Sequence, residues 1–312
     1  MRGSRVRTRG CIKSRYYGVR FRLVDLNCVG YLALLGVALI FFHKEVPRWP
    51  FRILIHAALI ILILEIVRKA EVSPGRRGFR FLRTFYPLVI ILFSWAEVGA
   101  FSRMFCGDFW FTDELIRLDL KVFGVHPTVW IQKFYQPWLD ELMNVFYTGY
   151  YLFLPVVTLT LYLKKKYDAA LAAFSIATLT LLTNFFLFFL FPALSPQMAE
   201  SLQPLHPKEY SGYFVASLTK FIQAHGAQPG GTFPSSHISE AIAWSLAALR
   251  YQANLGYFLL VFVVGVSIST VYLGYHHALD PILGVLWGIA WFPIALKILK
   301  ARREDPGRPG RR

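Results

Sequence analysis

Apolar residues run along this chain in eight stretches too continuous for a soluble interior. They cover roughly Leu23 to Phe42, Ile53 to Val67, Phe85 to Phe105, Met143 to Leu163, Ala169 to Phe191, His237 to Leu249, Leu255 to Leu273 and Pro281 to Leu299. A helix needs about 20 apolar residues to cross about 30 Å of hydrocarbon. The pattern therefore predicts an all-α, polytopic membrane bundle of about eight transmembrane helices. The second and sixth stretches are short, which leaves seven spans as the alternative. No repeat or low-complexity tract divides the chain. The expected organisation is a basic tail (1–22), two N-terminal helices with a basic connection (23–84), a main membrane domain (85–299) and a second basic tail (300–312).

Composition agrees with a bilayer as the solvent, because 55% of the 312 residues are hydrophobic and 17% aromatic. The net charge of +16 adds orientation. With the N-terminus inside, the inner segments (1–22, 68–84, 164–168, Arg250, and Lys297 onward) hold 25 of the 34 Lys and Arg residues, and the outer ones hold 9. Basic connections stay cytoplasmic, so both termini are expected inside, in a multi-pass protein of a bacterial inner membrane. Contacts with anionic head groups account for this charge, and nucleic acid is not an expected partner. The first stretch exceeds a signal-peptide core and no small-x-small site follows, so it is expected to remain as an uncleaved helix. Cys11, Cys28 and Cys106 have neither metal-ligand spacing nor an evident disulfide scheme. Cys11 is expected as a free thiol, with acylation the alternative.

Two outer connections stand out. Residues 106–142 interleave Phe109, Trp110, Phe111, Trp130, Phe134, Tyr135 and Trp138 with charges, the pattern of helices lying in the interface. Ser195 to Ser235 forms a long connection, a candidate lid or substrate-selecting loop.

Candidate chemistry sits at the outer ends of the last helices. In the run Gly230-Gly231-Thr232-Phe233-Pro234-Ser235-Ser236-His237, the glycines permit close backbone approach to a ligand. The following helix N-terminus offers free N–H groups to a phosphate. His237 is then placed to protonate an oxygen leaving phosphorus; the alternative is that Ser235 or Ser236 merely caps the helix. Further on, His276 and Asp280 have the i, i+4 spacing of one helical face. Asp280 can accept the Nδ1–H of His276 and free Nε2 to attack phosphorus. Asp280 as N-cap before Pro281 is the competing reading, and His277 is the alternative nucleophile. Glu97, Asn184 and Glu240 are polar groups at membrane depth. Tyr147, Tyr150 and Tyr151 are expected as interfacial anchors, with head-group contact the alternative.

Over residues 85–299 the chain resembles the type 2 phosphatidic acid phosphatase superfamily. That family's Pro-Ser-x-His motif is matched by Pro234, Ser235, Ser236 and His237, and its Ser-Arg-x5-His-x3-Asp motif by Ser269, His276 and Asp280. The resemblance implies a six-helix catalytic core, a phosphohistidine on His276, leaving-group protonation by His237, orientation by Asp280, and neither metal nor cofactor. Ser235, Ser236, Gly231, Thr232, Gln197, Thr270, Tyr272 and His277 are the expected substrate-binding positions.

Departures from the pattern shift the expected substrate. The family's phosphatases hold phosphate with a Lys and two Arg, whereas here Thr270 replaces the Arg of the last motif, Gln197 stands where the first motif would end in Arg, and Leu190 falls at the Lys. The Ser-Thr-x-Tyr-Leu-x-x-His-His run from Ser269 is similar to inositol phosphorylceramide synthases. A phosphodiester carries less charge than a monoester and needs fewer cations. Replacement charge is sought in Arg103, Lys133, His206, Lys208 or His277. The first expectation is a phosphotransferase moving a phosphorylated head group from a phospholipid donor to a lipid or polyol acceptor within the membrane lipids. A lipid phosphate phosphatase and a non-catalytic lipid binder or transporter are the alternatives.

Overall fold

The structure, a computed structural model, describes residues 19–205 and 212–307. Among them every regular element is helical. All eight apolar stretches form helices, and seven helical segments are long and apolar enough to cross a membrane, so the protein is a multi-pass membrane helix bundle. Residues 1–18 of the basic tail, with Cys11, and the positions His206 and Lys208 lie outside the described residues.

The N-terminal part comprises α1 (Leu23–Phe41), α2 (Trp49–Val72) and α3 (Arg77–Phe101). Two of these are longer than their apolar stretches because polar residues at their ends find partners. Glu97 of α3 accepts from Arg52 Nη1 at 2.9 Å and pairs with His56 Nε2 at 2.7 Å, which lets α2 extend to 24 residues. At the other end of the bundle, Arg83 is buried in α3 rather than held in a basic connection. It donates to Asp25 of α1, with its Nη2 at 2.6 Å. Paired burial of charge is tolerated where an unpaired charge is not. Because α1 packs on α8 as well as on α2, the N-terminal helices belong to the same bundle as the rest.

The aromatic connection contains α4 (Thr112–Phe123) and the short α5 (Pro127–Trp130), the helices expected of that segment. The fourth apolar stretch starts earlier than its hydrophobicity suggests. It opens with α6 (Pro137–Gly149) and passes through a 3-10 turn at Tyr150–Leu152 into α7 (Phe153–Leu163). Next come α8 (Tyr167–Leu190) and α9 (Phe214–Gly226), the latter inside the long connection after Ser195. Glu141 of α6 accepts the backbone N–H groups of Tyr213, Val215 and Ala216 at 2.7, 2.7 and 3.1 Å, so α9 is capped by the helix on which it packs.

The last three helices are α10 (Ser236–Tyr251), α11 (Ala253–Tyr272) and α12 (Leu279–Ala301). The sixth apolar stretch is not a span by length. At 16 residues α10 is about 24 Å long, short of the hydrocarbon thickness. It packs against α8, α11 and α12 and buries most of its side chains, including Ala241, Ala243, Ala247 and Ala248. Without a hydrophobic drive between helices in lipid, close approach of small residues holds such contacts. On α12 that role falls to Gly284 and Gly288. A Cβ on either would lie 2.7 Å from a carbonyl oxygen of α10, that of Ser235 or of Ser239.

Candidate active site

The Gly230 to His237 segment is threaded tightly before α10. Gly230 has φ +86°, and a Cβ there would meet Ser102 at 2.4 Å, so both conformation and space demand glycine. Asn184 of α8 donates to the Pro234 carbonyl at 3.3 Å. Ser235 is the N-cap of α10, its Oγ accepting the Ile238 N–H at 3.4 Å. Its own N–H donates to the Asp280 carbonyl at 3.1 Å, tying the start of α10 to the start of α12.

The His276 segment is fixed as firmly. After α11 ends, Gly274 turns the chain with φ +68°, and the N–H groups of Tyr275 and His276 both donate to the Thr270 carbonyl at 3.0 Å. Gln197 donates through Nε2 to the Leu273 carbonyl and through its backbone N–H to Gly274 O at 3.2 Å. Asp119 of α4 accepts the N–H groups of Ala278 and Leu279 at 2.8 and 3.1 Å. Burial raises the Asp119 carboxyl above the usual range, while these two amides pull it back.

His276 and Asp280 are paired across a turn rather than along a helical face. The helix N-cap is Ala278, not Asp280, which lies in the first turn of α12. Asp280 Oδ2 lies 3.1 Å from His276 Nδ1 and accepts the His277 N–H at 2.9 Å. With Nδ1–H committed to Asp280, His276 Nε2 carries its lone pair outward. That nitrogen lies 3.1 Å from Ser235 Oγ and 3.4 Å from His237 Nδ1. On its far side, His237 Nε2 meets the Tyr147 hydroxyl at 3.2 Å. Burial pushes the His276 ring down to about 3, against the opposing effect of the Thr232 backbone. Burial, followed by the neighbouring His276, also brings His237 to about 3. Both rings are therefore neutral at physiological pH when no anion is bound, and His276 Nε2 is an available nucleophile.

His237 stands between two chambers. The first, about 480 Å³, is the more polar of the two, here the polar chamber, and is bounded by Gln197, Lys220, Gln223, Thr232, Tyr275 and His276, with Gly231 in its wall. The second, about 240 Å³, is apolar and bounded by Leu88, Leu92, Leu154, Leu181, Phe185 and Trp244, with Ser236 and Glu240 beside His237. Leu92 is 60% exposed on the outer surface of the bundle, so this chamber borders the lipid-facing side. Glu240 accepts from Tyr150 Oη and from Trp244 Nε1, the latter at 3.0 Å. Among the described residues, no group of three or more His, Cys, Asp or Glu side chains is arranged to hold a metal ion.

Ser235, His276 and Asp280 also present the atom order of a serine nucleophile, base and acid. Ser235 is fully buried, however, and does not border the polar chamber, whereas His276 does. The reachable nucleophile is the histidine.

Of the residues expected from sequence, His237, His276, Asp280, Ser235, Ser236, Gly231, Thr232 and Gln197 are brought together. Three others do not face either chamber. The Thr270 hydroxyl turns back to the Ser267 carbonyl at 2.8 Å, and its contribution is the carbonyl that holds His276. Tyr272 is buried against Met143, Tyr147 and Leu273. His277 points away and meets the Leu194 carbonyl through Nε2 at 3.1 Å. Arg103 pairs with Asp108 and Glu45, and neither it nor Lys133 borders the polar chamber. Among the described residues the lysine or arginine that does so is Lys220, which no motif marks because it sits among ordinary residues of α9. Tyr147 was expected as an anchor; it is buried and bonded to His237.

Comparison with curated proteins and with solved structures finds no match. The family profile described as the PAP2 superfamily matches residues 113–294, more than half of the chain and all of the elements that build this site from α4 onward. The chain belongs to the PAP2 superfamily.

Proposed function

We propose that the protein is an integral-membrane lipid phosphotransferase working through a phosphohistidine on His276. The carrying observation is the placement of His276 Nε2, backed by Asp280 on Nδ1, 3.4 Å from His237 at the junction of a polar and an apolar chamber. An amphiphilic substrate fits that junction, its phosphoryl group in the polar chamber beside the two histidines and an acyl chain in the apolar side.

Attack by Nε2 on phosphorus forms the N–P bond as the P–O bond to the first alcohol breaks. His237 protonates the departing oxygen, and Asp280 stabilises the positive charge that develops on the phosphorylated ring. In the second half an acceptor hydroxyl attacks phosphorus, His237 takes its proton, and His276 is regenerated. Among the described residues, Lys220 is the one lysine or arginine bordering the polar chamber. One cation suits the single charge of a phosphodiester better than the near-double charge of a monoester, which supports head-group transfer between a phospholipid and a lipid or polyol, in the manner of the inositol phosphorylceramide synthases. The distribution of basic residues supports placing this end of the bundle on the extracytoplasmic face.

The test is to incubate the purified protein in detergent with labelled phospholipids, with and without ceramide, diacylglycerol and inositol, and to follow products by mass spectrometry. A new acceptor-dependent phosphodiester, lost in His276→Ala, supports the transferase. Acceptor-independent release of inorganic phosphate would establish a lipid phosphatase instead. Turnover by a well-folded His276→Ala protein would overturn the phosphohistidine mechanism.

A further inference from the structure

Tyr147 is buried in α6, outside both sequence motifs, yet its hydroxyl is the polar contact on the far side of His237. Three groups meet that hydroxyl. Gln223 Nε2 donates to it at 2.6 Å, the Tyr151 hydroxyl hydrogen-bonds it, and His237 Nε2 lies at 3.2 Å. A phenol has one proton and two lone pairs. The Gln223 amide can only donate, so it occupies one lone pair and leaves one lone pair and one proton to share between Tyr151 and His237.

We propose that Tyr147 is a positioning residue that keeps a proton on His237 Nδ1, the nitrogen facing His276, until the leaving oxygen takes it in the phosphotransfer described above, on which this inference rests. When His237 is neutral, Tyr147 donates to Nε2, so the ring proton resides on Nδ1. When an anionic phosphoryl group enters, accompanied by a hydronium proton from the bulk solvent that the ring takes up as its second, Tyr147 turns its own proton to Tyr151 and accepts from Nε2–H. Nδ1–H faces the reaction zone in both states. The imidazolium then passes its Nδ1 proton to the leaving oxygen as the P–O bond breaks, and the neutral ring that remains keeps Nε2–H on Tyr147. The rings of Trp95, Tyr147, Tyr150 and Tyr151, with centroids 5.0 to 6.2 Å from that of His237, favour the transient cation. Gln223 belongs to the same device from α9, because without its amide Tyr147 is free to present either face.

Leaving-group dependence separates this role from a structural one, since a nitrophenolate departs without a proton and a lipid alkoxide does not. Tyr147→Phe keeps the ring and removes the hydroxyl. With a phospholipid donor its kcat should fall about 10²-fold with KM nearly unchanged, and with a p-nitrophenyl phosphodiester by no more than about threefold. Gln223→Leu, a change on α9 that leaves Tyr147 in place, should show the same selectivity with a smaller loss. Equal losses on both substrates, or none, in both variants would overturn the positioning role. His276→Ala assayed alongside isolates the underlying reading: inactivity on both substrates leaves it standing whatever Tyr147→Phe does, while retained turnover removes both.

Discussion

Gly284 of α12 lies directly over Ser235, so that a Cβ on the glycine would sit 2.7 Å from the Ser235 carbonyl oxygen and 3.1 Å from Ile238 Cβ. This approach brings the segment with His276 and Asp280 against the segment with Ser235 and His237. Gly284→Ala is expected to force α12 away from α10. A misplacement near 1 Å lowers turnover by about 10²-fold, and overpacking lowers stability by about 1–3 kcal/mol. Gly288→Ala, one turn farther from the site and facing Ser239 O at the same distance, should lower the unfolding temperature comparably but cost less activity. Turnover and thermal unfolding in detergent check both, and equal activity losses would argue against positioning through Gly284.

Ser235 separates two nucleophile assignments. In Ser235→Ala the hydroxyl near His276 Nε2 and the cap of α10 are lost. The expected result is a stability loss of about 0.5–2 kcal/mol and an activity loss of about tenfold, the scale of one neutral hydrogen bond. If Ser235 were the nucleophile, loss on the order of 10⁶-fold would follow. Steady-state turnover of the variant, with labelling by a serine-directed fluorophosphonate as a second readout, decides between them.

Much of this arrangement is legible in the sequence, and what is not has a physical cause. Apolar stretches long enough to span identify the helices without any knowledge of packing, and two short motifs identify His237, His276 and Asp280. Helix ends shift because polar residues such as Arg52 and Arg83 are read as connections until their partners Glu97 and Asp25 are known. The shortness of α10 shows that continuous hydrophobicity marks burial as well as spanning. Lys220 and Gln223 are invisible as site residues, and the bond of Tyr147 to His237 is not legible, because they reach the chamber from α6 and α9, whose mutual packing no local pattern encodes. The Gly284-x-x-x-Gly288 spacing was a readable sign of close helix packing. It also points to the helix pair that carries the site.

Filling the apolar chamber should alter chain-length preference without disturbing the chemistry. Leu181 borders that chamber from α8 and does not border the polar one. Leu181→Trp is expected to leave short-chain donors nearly unaffected and to lower kcat/KM for long-chain donors. Each methylene excluded from the chamber costs about 0.8 kcal/mol, so two amount to about tenfold. A donor series differing only in acyl length reads this directly. A uniform loss across the series would mean that the chain binds elsewhere.

Acid sensitivity follows from the burial of His276. An unfolded histidine titrates near 6.5, and burial lowers the folded ring to about 3. Between these values the unfolded chain holds a proton that the folded site refuses, so this residue makes stability fall as pH drops from about 6.5 towards 3 and contributes no slope above 6.5. His276→Gln removes the titration while keeping a polar side chain of similar reach. The difference in unfolding midpoint between the parent and this variant should be constant at pH 7 to 8 and should change steadily below 6.5, at the parent's expense. Parallel curves down to pH 4 would mean that the folded ring titrates like an unfolded one, near about 6.5. The lone pair of Nε2 on which the attack on phosphorus depends would then be held only above that pH.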